Sequence, residues 1–179
     1  VKKIGFKGGY LDLEALSDFA GTSDLRVSKW FDQIGNGFDL SISSQTLQPL
    51  IVKSGHIVLD QKGNPTIEFN GATHKLMDSA NSLGVQLSNS INFASLAVFT
   101  PTAISQDASN LRRILGFYYV NSPMHKVSLY MSTEINKISF GARGNVSAST
   151  SILTSNIDAQ NTVALSYFKG QKVGMKVND

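Results

Sequence analysis

The sequence predicts an all-β protein of antiparallel strands with one short helix near the N-terminus. Three observations carry that expectation. Beyond the first two dozen residues, apolar side chains recur with a period of two rather than 3.6. Turn signals such as Ser54-Gly55, Gly63-Asn64, Asn70-Gly71 and Lys169-Gly170-Gln171 punctuate these runs, many of them at spacings of about eight to twelve residues. Helical periodicity is confined to one short segment. Together these features define an antiparallel sandwich or barrel.

The helix is expected in YLDLEALSDFAG. The carboxylate of Asp12 is placed to accept a free amide of the first turn, and Gly21 stands where a glycine ends a helix. Leu13, Leu16 and Ala20 fall on one stripe, with Phe19 nearby. DLRVSKWF then alternates Leu25, Val27, Lys29 and Phe31 against Arg26, Ser28 and Trp30. QPLIVKSGHIVLD reads as two extended runs around Ser54-Gly55. DQKGNPTIEFNG is a turn followed by a strand, Thr66 to Phe69, closed by Asn70-Gly71.

INFASLAVFTP is apolar on both faces, which predicts a central strand covered on both sides. RRILGFYYV and KVSLYMST follow, joined by NSPMH. NKISFGARG, a polar stretch, NTVALSYF and KVGMKVND complete the chain, the last with Val173, Met175 and Val177 inward and Lys172 and Lys176 outward. No internal repeat, low-complexity tract or linker is evident, so residues 1–179 read as a single domain. A chain that opens on Val1 and stops at Asp179 directly after a strand reads as a fragment of a longer one.

Composition narrows the function classes. Charged residues make up 16% of the 179, against about a quarter in an average globular chain, and Ser, Thr and Asn supply the missing polarity. Net charge is +3 and Lys or Arg never run beyond pairs such as Lys2-Lys3 and Arg112-Arg113, so a nucleic-acid face is not expected. There are no cysteines, which excludes disulfides, thiol nucleophiles and Cys-type zinc sites. No apolar run approaches the roughly 18 residues of a membrane span.

One segment is more specific. LDLEALSDFAG, then WFDQIGNGFDL, then QPLIV and GNPTIEFNG, resembles laminin-G-like or concanavalin-A-like jelly-roll domains of bacterial surface proteins and tailed-phage virion proteins. In those domains a short helix ending Phe-x-Gly precedes an aromatic-Asp-Gln-x-Gly-x-Gly turn. A strand of the form Gly-x-Pro-x-hydrophobic-x-Phe-x-Gly comes next. A related turn occurs in fungal arabinofuranosidase catalytic domains. The specific match covers residues 4 to 71, and beyond it only the general order of strands is similar. The resemblance implies an antiparallel jelly-roll β-sandwich whose missing strands lie outside this chain or come from neighbouring subunits. The fold hosts lectins, glycanases, adhesion modules and structural domains, so it does not choose among them.

Four candidate sites follow from the residues. Asp32, Asn36 and Asp39 offer oxygens to a calcium ion, although their spacing does not match the twelve-residue calcium loop. The competing reading is structural: Asp32 and Gln33 bond to turn amides while Gly35 and Gly37 relax the backbone. A glycosidase needs two carboxyls about 5 Å or roughly 6.5–9.5 Å apart. Outside the helix the only glutamates are Glu68 and Glu134, on separate strands, and Glu68 is the better single acid. His56, His74 and His125 are scattered without metal spacing.

The fourth site comes from hairpin register. If NSPMH closes a regular hairpin, Val120 faces Lys126, Phe117 faces Leu129 and Leu115 faces Met131. Gly116 and Tyr118 then lie against Tyr130 and Ser128 on the opposite face. The Tyr118–Tyr130 pair would form a platform on which a sugar ring stacks.

The expected function is a non-catalytic recognition or attachment module, binding a glycan or cell-surface polysaccharide, within a larger virion or cell-surface protein. The alternatives are a structural virion domain, decorating a capsid or completing a fibre through neighbouring subunits, and a relative of glycoside hydrolases. No cofactor is expected apart from the calcium weighed above.

Overall fold

The computed structural model describes residues 1–78, 83, 92–100, 112–118, 124–131, 137–144, 148–153, 162–169 and 172–177. The protein is mostly strands with one α-helix, and the chain divides into two compact units, Val1–Ser79 and Ala80–Asp179.

The first unit is built from short pieces. Strands β1 (Phe6–Lys7) and β2 (Tyr10–Leu11) form a small hairpin before helix α1 (Leu13–Ala20). Asp12 caps the helix as expected, its Oδ1 accepting the Ala15 N–H at 3.0 Å. Gly21, at φ 55°, ends it and donates its N–H to the Ser17 carbonyl at 3.0 Å. Leu16 and Ala20 are buried against Val52, with Ile4, Leu11, Leu25, Ile51 and Ile57 packed around them. Leu13 and Phe19, placed on or near the same stripe by periodicity, stay partly exposed, and the Lys2 ammonium sits 5.6 Å from the Phe19 ring centroid.

The run 25–31 does not form one strand. It divides into β3 (Leu25–Arg26) and β4 (Lys29–Trp30), which pair with different partners. β3 pairs with β6 (Leu50–Lys53), and β4 with β5 (Leu40–Ser41). The changeover is continuous, because Val27 donates to the Pro49 carbonyl and Ile42 to the Ser28 carbonyl. A short 3-10 turn, Gln45–Leu47, leads into β6. β6 turns through Ser54-Gly55 into β7 (His56–Ile57), with Lys53 facing His56. Both turn residues have positive φ, 50° and 77°, as a two-residue hairpin of this kind requires. The Thr66–Phe69 strand is realised as a single bridge, Leu50 to Glu68, with another, Leu59 to Pro65, just before it, rather than as a ladder.

The second unit carries long strands in two sheets. One sheet has the order β12-β11-β10-β9, from β9 (Arg112–Tyr118), β10 (Met124–Met131), β11 (Lys137–Gly144) and β12 (Ala148–Leu153). The other has the order β14-β13-β8, from β8 (Asn92–Phe99), β13 (Thr162–Lys169) and β14 (Lys172–Val177). All of these neighbours are antiparallel. β14 runs close to β12 and β11, and among the described residues Leu129, Ile138, Phe140, Ala164 and Met175 are buried apolar ones. Leu129 faces Phe140 across the β10–β11 ladder.

Three sequence expectations are corrected in this unit. β12 lies in what reads as a polar stretch; ASTSIL pairs in regular register with β11, Thr150 facing Phe140 and Ile152 facing Ile138. β8 is not covered on both sides. It ends the described order of its sheet, and Leu96 and Val98 are 65% and 63% exposed.

The third correction is the β9–β10 register, which is offset by two residues from the regular hairpin. Lys126 faces Tyr118, Val127 faces Phe117 and Leu129 faces Leu115, and after an irregularity Tyr130 faces Arg113. Met124 belongs to the ladder with β11, opposite Gly144, which lengthens β10 beyond its expected start.

Candidate functional site

The turn between β4 and β5 is organised by its two aspartates. Asp32 Oδ1 accepts the Ile34 N–H at 3.0 Å, and Oδ2 accepts those of Asn36 at 2.7 Å and Phe38 at 3.4 Å. Asp39 Oδ1 accepts the Asp32 N–H at 2.8 Å, while its Oδ2 lies 2.8 Å from Lys29 Nζ. Gly35 and Gly37, at φ 79° and 82°, let the chain wrap around the Asp32 carboxylate. Gln33 differs from expectation: its amide donates to the Phe31 carbonyl at 2.6 Å rather than bonding a turn amide. Above the turn, the Lys3 and Lys29 ammonium groups lie 4.6 and 4.9 Å from the Phe31 ring centroid.

This arrangement makes both carboxylates stronger acids than usual. For Asp32 the bond from the Ile34 amide is the main cause, helped by the Phe38 and Asn36 amides and opposed by partial desolvation and by Asp39. For Asp39 the bond to Lys29 leads, followed by the Asp32 amide. A calcium ion bound here would have to compete with these amides and with the Lys29 ammonium for the same oxygens.

The same device appears a second time. Asp60-Gln61-Lys62-Gly63-Asn64 repeats the Asp-Gln-x-Gly-Asn pattern of residues 32–36, so the chain does contain a short internal repeat. Asp60 Oδ1 accepts the Lys62 and Asn64 N–H groups, each at 2.8 Å, and Gly63 has φ 80°. In both turns the aspartate takes the amides two and four residues on. Equal spacing of Asp and a positive-φ Gly is the signal that reveals it in the sequence. A third turn uses an amide in place of the acid: Asn70 Oδ1 accepts from Ala72, Thr73 and His74, and its Nδ2 donates to Thr73 Oγ1 at 2.9 Å.

A polar chain linking this third turn to β3 was not legible in the sequence. His74 Nδ1 accepts the Asn70 N–H at 3.2 Å, and its Nε2 lies 3.3 Å from Arg26 Nη1. Arg26 Nη1 also donates to the Gln48 carbonyl at 2.9 Å, and the buried Gln48 side chain donates to the Ile42 and Ser43 carbonyls. These contacts join residues 26, 48 and 74 into one brace. His56 is exposed on β7, and His125 lies on β10.

The remaining candidates are distributed. Glu68 is partly exposed and its Oε1 lies 3.2 Å from Lys53 Nζ; Glu134 falls outside the described residues. Tyr118 and Tyr130 occupy β9 and β10, where the observed register sets them against Lys126 and Arg113 respectively. Four positions on β10 separate Lys126 from Tyr130, which is roughly 14 Å of strand. Among the described residues, no group of three or more His, Cys, Asp or Glu is placed to hold a metal ion.

Comparison of the chain with protein-family models, with curated proteins and with solved structures finds no match. The function is therefore read from the surface the fold presents.

Proposed function

We propose that this chain is a non-catalytic recognition or attachment module of a larger virion or cell-surface protein, with a jelly-roll fold of the laminin-G-like or concanavalin-A-like kind. The observation that carries this reading is the outward face of β8 and β13. Leu96 and Val98 are about two-thirds exposed, and Leu165, the cross-strand partner of Leu96, is 39% exposed. Apolar side chains clustered on a sheet face are a mark of a contact surface. A Ser-, Thr- and Asn-rich exterior of low charge suits the surface of a particle or cell. Neighbouring subunits are the partners this face fits best. No helix among the described residues is long and apolar enough to cross a membrane.

A glycan is the second reading, favoured by Tyr130, which is partly exposed and stands directly opposite Arg113. The offset register changes what the tyrosines would do. Tyr118 and Tyr130 would meet separate rings of an oligosaccharide rather than one sugar. For the hydrolase reading, Glu68 is paired with Lys53, and Glu68→Gln would abolish any turnover that depends on it.

Sedimentation of the folded chain tests the leading proposal. Concentration-dependent association that Leu96→Glu or Val98→Lys abolishes, with far-UV circular dichroism unchanged, is the expected result. A monomer at all concentrations that binds a glycan array, and loses that binding with Tyr130→Ala, would overturn it in favour of the glycan reading. A calcium role at Asp32, Asn36 and Asp39 is abandoned if a chelator leaves the melting temperature unchanged.

A further inference from the structure

The chain contains two Asn-Gly pairs in described turns, Asn36-Gly37 and Asn70-Gly71, and one Asn-Pro, Asn64-Pro65. We propose that Asn36 is a site of spontaneous backbone self-modification, and that the fold selects it over Asn70. In this chemistry the deprotonated backbone nitrogen of the next residue attacks the Asn side-chain carbonyl carbon. A new C–N bond closes a five-membered imide, the bond to the side-chain nitrogen breaks, and ammonia leaves with the proton. Water then opens the ring at either carbonyl, giving aspartate or its β-linked isomer. The net change is Asn plus water to a carboxylate plus ammonia, with no oxidant or reductant.

Two requirements of the attack, an exposed pair and reacting groups that no hydrogen bond holds, are met at residue 36. Asn36 and Gly37 are both exposed. Among the described residues no partner holds the Asn36 carboxamide, and none accepts the Gly37 N–H. The bond that Asn36 does make, from its backbone N–H to Asp32 at 2.7 Å, engages neither of the reacting groups. A Cβ at Gly37 would have nothing within 4 Å beyond its chain neighbours, so no other part of the chain crowds this residue.

Asn70 has the same dipeptide and the opposite environment. Its Oδ1 accepts three backbone amides and its Nδ2 donates to Thr73, so the carboxamide is held by four hydrogen bonds that the attack must disturb. Asn64 cannot react this way at all, since Pro65 has no N–H to supply the nucleophile. The product at residue 36 also has a consequence. It adds a third carboxylate beside Asp32 and Asp39, and the β-linked isomer inserts a methylene into the backbone whose amides Asp32 collects.

The test is peptide mapping by mass spectrometry after incubating the folded chain at mildly alkaline pH, with a parallel sample in denaturant. In the folded chain, modification at Asn36 should outpace that at Asn70 by about tenfold or more, the factor that one hydrogen bond of ordinary net strength imposes on a rate. In denaturant the two pairs should react at similar rates, because only the fold distinguishes them. Asn36→Asp should remove the fast event and leave the slow one. Equal rates at both sites in the folded chain would overturn the proposal. So would an unreactive Asn36 in a chain that reacts there when unfolded.

Discussion

The two units of this protein are stabilised by different means. In Val1–Ser79 the strands are two to four residues long, and side chains do much of the work of satisfying backbone groups. Asp12, Asp24, Asp32, Asp39, Asp60 and Asn70 all accept main-chain amides. In Ala80–Asp179 the strands are six to eight residues long and the ladders satisfy one another. The difference follows from how polar groups are satisfied. A long strand exchanges amides with one neighbour at alternate residues and, inside a sheet, with a second neighbour at the residues between, whereas a turn-rich segment leaves its amides open and needs acids, amides and glycines placed at particular residues.

If that contrast is right, the second unit should be most sensitive to lost packing. Phe140→Ala removes one of its largest fully buried side chains and should cost about 3–5 kcal/mol, read from denaturant unfolding and from faster amide exchange at Leu129 and Phe140. A loss below 1 kcal/mol would mean that this core is loosely packed. The first unit should be most sensitive to its turns. Gly55→Ala asks a side chain to take φ 77° and to sit 2.7 Å from the Gly21 carbonyl oxygen. It should cost more than the ~1–2 kcal/mol of the left-handed conformation alone.

Asp32→Asn comes next and sharpens the comparison through pH. The carboxylate is held below its usual range in the folded chain by the amides it accepts, chiefly that of Ile34. Its contribution is therefore complete above the ordinary carboxylate range and is lost as pH falls through the lowered folded value. The variant should melt several degrees below the wild type at neutral pH, and the gap should close in acid. A gap independent of pH would show that the charge is not what the turn uses. The smallest effect is a gain. Ser54 holds φ 50°, where Asn is better tolerated, and Ser54→Asn should stabilise by a few tenths to about 1 kcal/mol in the same unfolding measurement.

Much of the first unit was legible because its signals are local. The Asp12 cap, the glycine that ends the helix, the hairpin at Ser54-Gly55 and the structural role of Asp32 each depend on residues a few positions apart. The Asp-Gln-x-Gly-Asn repeat was equally available and is found by aligning the chain with itself. What escaped was long in range. Nothing near residue 27 says that the strand changes partners there, or that Arg26 will meet His74.

The sequence by itself determined the all-β character, the helix and its caps, and the chemistry of the turns, because these follow from alternation and from hydrogen bonds within a few residues. The tertiary structure alone decided the β9–β10 register, the membership of β12 in a sheet and the exposure of Leu96 and Val98. A strand's period tells which residues share a face. It does not tell which neighbour will pair with that strand, at what offset, or whether its apolar face is covered within the chain.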